Sequence, residues 1–497
     1  MKQPSKKFYF LWAFIPLVLA IIFDHLFFTH SLGLSYPFFH LCLLLGALFL
    51  FRDKVEVSSW PGWTSLALAH TLSWTFALFA SEPILIGNFL LVPALTIVGF
   101  WLLTSRHHGA WEQLQLIPHM IKESFLPFLA FLAIPLKFIS KALPSKKIKS
   151  SVLKDIILGL VLFSPIVFIV LALLSSADSV FANLTESLFS LDLPFIEKSF
   201  EHLPLILIAY VALSSLTWLI YSRTDSALPE KNHRTLNTTT AITGLVLLNL
   251  IYLIFSSIQF TYLFGGADLS FLTDLTYAEY TRKGFFELVF VCFMNLGVTS
   301  AIVLHSLKKK SSPVLLGLLT LLISFTGVLL ASSQMRLTLY LHAYGMTYLR
   351  FFVQASLIAI LFYLIFALIS VWSNRFKPFK WSLVATLCIW GVMSFMNIDV
   401  QIASYNLETP LQSKNIDLFY LTHNLSTDAF PIVATKLPEY QFTLEQNTYG
   451  YDYYVGYKPN TTEPVKFAFS LPELTSWKDW KLSHKRTIDI INQLNEE

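Results

Sequence analysis

The feature that most constrains the fold is a series of about eleven apolar runs, each about twenty residues long. An α-helix rises about 1.5 Å per residue, so about 20 apolar residues cross a hydrocarbon core about 30 Å thick. The sequence therefore predicts an all-α polytopic integral membrane protein with about eleven transmembrane helices. The predicted spans begin near Phe8, Leu34, Trp63, Pro83, Asp155, Leu203, Ala241, Phe285, Pro313, Tyr348 and Trp381.

Composition agrees with this fold class. Hydrophobic residues make up 55% of the chain and charged residues 13%, whereas about a quarter of a soluble domain is charged. Mean hydropathy is +0.60. The net charge of +4 is small and lies in loops, which argues against nucleic-acid binding. Cys42, Cys292 and Cys388 all lie in apolar runs, so they predict buried thiols rather than a disulfide framework.

The distribution of Lys and Arg predicts the orientation in the membrane, because cytoplasmic loops carry an excess of both. With the N-terminus in the cytoplasm, the basic loops fall inside and the short, nearly uncharged or acidic loops fall outside. An odd number of spans then places the C-terminus outside. The first run lacks a small-x-small cleavage pattern, so it is predicted to remain in a multi-pass protein of the cell membrane.

Four regions follow from these patterns. Residues 1–104 form a four-helix membrane region, and residues 105–152 a cytoplasmic amphipathic or interfacial segment. Within that segment, residues 125–139 are apolar but short and broken by prolines, which favours an in-plane helix and leaves a re-entrant segment open. Residues 153–397 form a seven-helix membrane core with outer collar loops, and residues 398–497 an extracytoplasmic C-terminal domain.

The C-terminal domain is predicted from a change in composition after Asn397, where about 100 residues carry charges and turns without a long apolar run. A helix start is predicted near Ser426, which has the side chain of an N-cap, with Pro431 in the first turn. The aromatic, Gly-punctuated stretch at residues 440–457 favours strands or an ordered loop. A final helix near residues 485–494 completes a small α+β domain docked on the outer helix ends.

Five segments resemble a bacterial family of membrane proteins known as domain of unknown function four-one-seven-three, and the related four-one-five-three group. They are SSADSVF at residues 175–181, FTYLFGG at 260–266, YAEYTRKGFFEL at 277–288, SSQMRLTLYLHAYGMTYLR at 332–350 and NIDVQIASYN at 397–406. The similarity runs from about residue 153 to the C-terminus. This resemblance implies a fold and a membrane location, and it carries no activity.

The outer collar holds the densest chemistry. On a helix, Glu279, Lys283 and Glu287 share one face, and Arg336 precedes Tyr340, Tyr344 and Tyr348, which again lie four apart. If the two stretches face each other, their cations and aromatics suit a phosphate or carboxylate headgroup. The alternative is that they are interface anchors and inter-helix salt bridges. The candidate ligand residues are Glu279, Arg282, Lys283, Glu287, Arg336, His342, Tyr344 and Arg350.

Three further polar residues lie within apolar runs. Asp24 ends the first span, where membrane glycosyltransferases keep an acidic residue. The loop after it is too short for that class, so a helix-end carboxylate is the alternative. Asn249 and Asn295 are mid-span, where amides hydrogen-bond a neighbouring helix or line a transport path. The scattered histidines lack zinc-site spacing, and we predict no catalytic residue, metal or cofactor.

The leading functional prediction is a non-enzymatic membrane protein that senses, binds or moves a lipid-like or anionic ligand at the outer leaflet. It rests on the charged and aromatic collar. One alternative is a membrane-embedded transferase acting on a lipid-linked substrate, and another is a structural partner of a second membrane protein. Membrane lipid is the expected partner in each case, and the sequence does not specify a protein partner.

Overall fold

The computed structural model describes residues 6–28, 30–104, 194–222, 237–264, 285–306, 312–373, 375–409, 420–436, 441–446, 452–457, 469–470 and 477–496. The predicted span near Asp155 and the predicted interfacial segment 105–152, with its in-plane helix at residues 125–139, lie outside these residues. The chain divides into two compact units. The first contains residues 1–78, 86–228 and 474–482, and the second contains residues 79–85, 229–473 and 483–497.

The helices of the first unit pack around an apolar core that includes Phe8, Phe51 and Leu103. Trp12 is fully buried there, and its indole Nε1 donates a hydrogen bond to the Ser214 carbonyl at 2.9 Å. This bond joins the first helix to the last. The helices are α1 (Lys6–Phe27), α2 (Ser35–Phe51), α3 (Trp60–Ser73), α4 (Thr75–Leu78), α5 (Glu82–Thr104) and α6 (Pro194–Ser222).

Two glycines let α3 and α5 approach closely. A Cβ atom added to Gly62 would lie 2.7 Å from Leu103 Cγ and 3.0 Å from the Gly99 carbonyl oxygen. A Cβ on Gly99 would lie 2.5 Å from Leu66 Cδ2. Small residues at crossing points are a common device in membrane bundles, since they bring two helix backbones together.

The second unit contains the longest described helix, which has 32 residues. The core of this unit is apolar and includes Leu315, Leu319, Leu322 and Ile360, which are all fully buried. The helices are α7 (Thr238–Phe264), α8 (Phe285–Ser306), α9 (Pro313–Tyr344), α10 (Tyr348–Trp372), α11 (Pro378–Phe395), α12 (Ile398–Glu408), α13 (Phe430–Lys436) and α14 (Leu482–Glu496).

Within the described residues, eight helices are long and apolar enough to cross a membrane. They are the helical stretches Phe8–Phe27, Glu82–Thr104, His202–Tyr221, Thr238–Ser257, Phe285–Val303, Pro313–Tyr344, Tyr348–Trp372 and Pro378–Phe395. Each corresponds to one predicted span. The prediction of a helical, multi-pass membrane protein is therefore confirmed.

The predicted count of eleven spans is not supported by the described residues. The run predicted near Leu34 forms α2, which has 17 residues and extends only about 26 Å. The run predicted near Trp63 forms α3, which has 14 residues and extends about 21 Å. Helix α3 ends at Ser73, and a separate four-residue helix follows Trp74. Apolar composition continues through this break, so counting apolar residues overestimates the helix length.

The separate C-terminal α+β domain is also not supported. Residues 398–409 and 420–436 share a core with helix α11, in which Met393 packs with Ile398, Ile402, Leu421 and Val433. Further along, an antiparallel sheet has the strand order β1 (Gln441–Gln446), β2 (Asp452–Tyr457) and β3 (Phe469–Ser470). Gln441 pairs with Tyr457, and Tyr453 with Ser470. The predicted final helix is present as α14.

Candidate functional site

The described collar residues lie at one end of the bundle formed by α8, α9 and α10. Phe285 and Leu288 at the start of α8 belong to the same core as Leu337 and Leu341 near the end of α9. Three residues, 345–347, connect α9 to α10. This end carries Glu287, Arg336, His342, Tyr344 and Arg350, whereas Glu279, Arg282 and Lys283 lie outside the described residues.

Arg350 is the best-defined member of the collar. Its Nη1 donates hydrogen bonds to the Tyr344 carbonyl, at 2.8 Å, and to the Gly345 carbonyl. Its Cζ lies 4.3 Å from the centroid of the Tyr340 ring, and the Tyr340 and Tyr344 rings are 5.0 Å apart. The guanidinium therefore caps the negative end of α9 and stacks on an aromatic face.

The other collar residues differ in exposure. Glu287, His342 and Tyr344 are exposed, and Arg336 and Arg350 are half-buried. Helix α9 is continuous to Tyr344, so Arg336, Tyr340 and Tyr344 share a face as their spacing predicted, whereas Tyr348 begins α10. The last turns of α9 thus present a cation and an aromatic wall. The structure does not bring Glu287 into an ion pair with a described residue.

Asn406 of α12 fixes the connection that carries Arg350. Its Oδ1 accepts the Met346 N–H at 2.5 Å, and its Nδ2 donates to the Met346 carbonyl at 2.9 Å. The preceding Gly345 has a φ of 74° and ends α9. A left-handed φ is strained for other residues, so Gly345 suits the sharp exit from the helix.

Two buried carboxylates lie near this connection in the second unit. Asp399 is 0% exposed and Asp428 is 5% exposed. Asp399 Oδ1 accepts hydrogen bonds from the Tyr348 hydroxyl and from the Ser426 N–H. Asp428 Oδ2 accepts the Ala80 N–H at 2.8 Å. Neither carboxylate forms an ion pair in the part of the chain that the structure describes.

Burial controls the protonation of Asp428. Desolvation raises the pKa of its carboxyl, and the nearby charge of Asp399 raises it further. Hydrogen bonds from Ser483 and from the Ala80 N–H oppose the rise, because they stabilise the ionised form. Through their hydrogen bonds, Asp399 and Asp428 connect the starts of α10 and α12 to the turn that precedes α13. We therefore assign both carboxylates a role in packing.

Sequence reasoning did not select Asp399 or Asp428. Asp399 lies in the resembling segment 397–406, but its hydrogen-bond partners are 27 and 51 residues away. Burial of an acidic side chain in the first turn of a helix gives no signal in spacing or composition. The one local indication of this site is Asn397, the N-cap residue of α12. Its φ is 50°, and its side chain accepts a hydrogen bond from the Val400 N–H.

Asp24 is buried and paired. Its side chain is 6% exposed, and Oδ2 lies 2.7 Å from His202 Nδ1 of α6. Oδ1 is buried and has no hydrogen-bond partner among the residues that the structure describes. The carboxylate therefore does not extend towards solvent as a helix-end residue would, and its partner lies 178 positions away in the sequence.

The mid-span asparagines form the predicted hydrogen bonds between helices. Asn295 Nδ2 donates to Thr326 Oγ1 at 3.0 Å, and the Tyr252 hydroxyl donates to Asn295 Oδ1 at 2.8 Å. Asn249 Nδ2 donates to the Leu318 carbonyl at 3.0 Å. These contacts join α7, α8 and α9, and they account for amides at membrane depth.

The fold and these contacts define a multi-pass helical membrane protein. A family model described as a domain of unknown function (DUF4153) matches residues 42–435, so the chain belongs to this family. The match confirms the resemblance to the four-one-five-three group. No curated protein and no solved structure matches the chain.

Proposed function

We propose that this protein is a non-enzymatic membrane protein that binds the anionic group of a lipid-like ligand at the collar end. We define the collar end as Arg336, Tyr340, His342, Tyr344 and Arg350. The observation that carries the proposal is the anchored guanidinium of Arg350, which is half-buried against the Tyr340 ring.

A fixed guanidinium is suited to an anion. Arg carries five N–H donors in a planar fork, and among the described residues the Tyr344 and Gly345 carbonyls both bind Nη1. Because the side chain is already held in place, little conformational entropy is lost when a phosphate or carboxylate accepts the remaining donors. Charge-assisted bidentate contacts of this kind are among the strongest hydrogen bonds in proteins.

The length of α9 supports a position at the membrane surface. Its 32 residues extend about 48 Å, whereas the hydrocarbon core is about 30 Å thick. The helix start at Pro313 is apolar, and Arg336, Tyr340, His342 and Tyr344 lie in the last three turns. Arg and Tyr are favoured where hydrocarbon meets headgroups, which is where an anionic lipid presents its phosphate.

The buried carboxylates favour binding over catalysis. A transferase needs an acidic side chain that reaches its substrate. Asp399 and Asp428 are 0% and 5% exposed, and both accept hydrogen bonds from the chain itself. The collar end, by contrast, contains exposed side chains. This contrast supports a binding protein, and the alternative of a membrane-embedded transferase would depend on Glu287, the exposed carboxylate at the same end of the bundle.

The proposed orientation has the N-terminus in the cytoplasm and the C-terminal residues outside. A contact within the first unit supports it: the segment Trp477–Asp479 lies against the loop between α1 and α2. Asp479 Oδ1 accepts the Ser31 N–H at 2.7 Å, and the Leu34 N–H donates to the Trp480 carbonyl at 3.0 Å. If α1 crosses the membrane, this loop and residues 477–480 share the side opposite Lys6.

The orientation can be tested with single cysteines introduced into a variant that lacks the three native ones. A membrane-impermeant maleimide applied to whole cells should label the Gln493→Cys variant and leave the Lys2→Cys variant unlabelled until the cells are opened. Equal protection of both positions would contradict the proposed orientation.

Ligand binding can be tested in nanodiscs by titrating a fluorescent phosphatidylglycerol against a phosphatidylcholine background. Arg350→Gln should weaken binding at least fivefold, since the amide lacks the charge. Arg52→Gln, which changes a half-exposed cation at the end of α2, should bind as the wild type does. Equal binding by Arg350→Gln and the wild type would refute the ligand site and leave Arg350 as a helix cap. Competition by inorganic phosphate would separate recognition of a free anion from recognition of a lipid.

A further inference from the structure

Two histidines of the first unit meet at the contact between α2 and α3. His40 Nδ1 lies 3.3 Å from His70 Nδ1. His40 is 5% exposed, and His70 is half-buried. The pair lies outside the collar end and is independent of it. The two residues are 30 positions apart, so no metal-ligand spacing in the sequence predicts it.

The hydrogen bonds around the pair fix both tautomers. Thr96 Oγ1 donates its single hydrogen to the Val92 carbonyl at 2.7 Å, so it must accept from His40 Nε2, which lies 2.9 Å away. His40 Nδ1 therefore carries a lone pair, and His70 Nδ1 must donate to it. On the far side of that ring, Trp74 Nε1 donates to His70 Nε2 at 3.4 Å. Both imidazoles are thus neutral, which is the form that binds metals.

The distance between the two nitrogens matches that of two ligands of one metal ion. Imidazole nitrogens bind Zn²⁺ at about 2.0–2.1 Å in tetrahedral geometry, which places two of them about 3.3 Å apart. The observed separation is 3.3 Å. Transfer of the His70 proton from Nδ1 to Nε2 leaves a free lone pair on Nδ1 of both rings, so that each can become a metal ligand. This tautomer change requires only that the long contact from Trp74 opens, and it releases no proton.

The outer hydrogen bond of His40 is already in the arrangement that a metal ligand needs. A ligating histidine usually donates its second ring N–H to a nearby acceptor, which holds the ring in orientation. Thr96 Oγ1 has that role, since it is 2.9 Å from His40 Nε2 and its residue is 7% exposed. The ring that binds the metal would therefore keep its present position.

Water can complete the coordination shell. His70 is in the last turn of α3, beside Trp74, which is 39% exposed. The Trp74 ring contacts Phe38, which is 45% exposed, at 6.4 Å. Exposed aromatics at helix ends are typical of the membrane–water boundary. Among the described residues, no third His, Cys, Asp or Glu joins this pair, so the site has two protein ligands and open positions.

We propose that His40 and His70 bind one divalent transition-metal ion of the Zn²⁺, Co²⁺, Ni²⁺ or Cu²⁺ class. Imidazole ligands and open coordination positions suit these ions, and Mg²⁺ and Ca²⁺ prefer oxygen ligands. The proposal adds a second site to this protein and does not depend on anion binding at the collar end.

The test uses the full chain, purified in detergent without a polyhistidine tag, and titrated with Zn²⁺ by calorimetry and with Co²⁺ by visible absorption. The wild type should bind one equivalent with a tetrahedral Co²⁺ spectrum. His70→Gln keeps an amide donor for His40 Nδ1 but removes a metal ligand, so the affinity should fall at least tenfold. His342→Ala removes an exposed histidine elsewhere and should leave binding unchanged.

Zn²⁺ should also raise the Tm of the wild type and leave the Tm of His70→Gln unchanged. The test substitutes His70 rather than His40, because His70 is half-buried and the buried His40 could not be changed without a risk to folding. The Tm of His70→Gln without Zn²⁺ shows whether this variant is folded. Absence of saturable binding in the wild type, or equal affinity in His70→Gln, would overturn the proposal. Arg350→Gln should retain Zn²⁺ binding, so failure at the collar end and failure here are distinguishable.

Discussion

Asn406 holds the peptide of Met346 from both sides, with Oδ1 accepting its N–H at 2.5 Å and Nδ2 donating to its carbonyl at 2.9 Å. The two residues are 60 positions apart. Because the Met346 peptide lies between α9 and α10, this amide fixes the connection on which Arg350 depends.

We expect Asn406→Asp to destabilise the protein. A carboxylate cannot donate to the Met346 carbonyl, and it places a negative oxygen next to that group. The loss should be about 1 to 3 kcal/mol, the usual range when a buried polar group loses its partner. Thermal unfolding in detergent measures the effect. Asn424→Asp, at an exposed position, is the matched control. An equal Tm for both variants would contradict the two hydrogen bonds between Asn406 and the Met346 peptide.

The crossing of α3 and α5 predicts a second change in stability. Gly99→Val places a side chain where Leu66 Cδ2 is only 2.5 Å from a Cβ. Overpacking of this kind lowers stability by about 1 to 3 kcal/mol or more. Gly297→Ala is the control, because nothing lies within 4 Å of its added Cβ, and in a helix it should raise stability by about 0.5 to 1 kcal/mol. If Gly99→Val were as stable as the wild type, α3 and α5 would lie further apart than the structure places them.

The protonation of Asp428 predicts a pH dependence. Burial raises its pKa from the ordinary 3.8 in the folded protein, so the folded state holds the proton more tightly than the unfolded state does. The free energy of unfolding should therefore fall as pH rises from about 4 through the raised pKa. Asp428→Asn should flatten this part of the curve, measured as Tm against pH. Asp489→Asn, at an exposed position, should follow the wild type, and a parallel curve for Asp428→Asn would contradict the sign.

Removal of the Asp479 side chain should also lower the stability of the protein. The carboxylate accepts hydrogen bonds from the Ser31 N–H and Oγ and lies 3.1 Å from His30 Nδ1. Hydrogen bonds to charged groups contribute about 1.5 to 3 kcal/mol, so Asp479→Ala should lower the Tm and increase proteolysis near residue 477. Asp53→Ala changes an aspartate whose side chain is 92% exposed and should have little effect. Unchanged proteolysis of Asp479→Ala would show that other contacts hold the segment.

Sequence reasoning located the long helices because hydropathy and length are local properties. It overestimated the lengths of α2 and α3. For α3 the reason is that apolar composition does not record the break at Trp74. The pairs that organise the polar sites join distant positions: Asp24 with His202, His40 with His70, and Asp399 with Ser426. Such contacts depend on which helices pack together, and no spacing along the chain predicts that. The spacing of Arg336, Tyr340 and Tyr344 predicted their shared face on α9, although their role stays a prediction.

The contact between Ser31 and Asp479 joins positions 448 apart. During synthesis the loop between α1 and α2 leaves the ribosome long before the segment that completes its hydrogen bonds. Closing so long a stretch of chain is slow and entropically unfavourable until the intervening helices have assembled. The contact therefore forms as a late step, so a nascent chain that stops short of residue 477 carries an open loop that quality-control proteases can recognise.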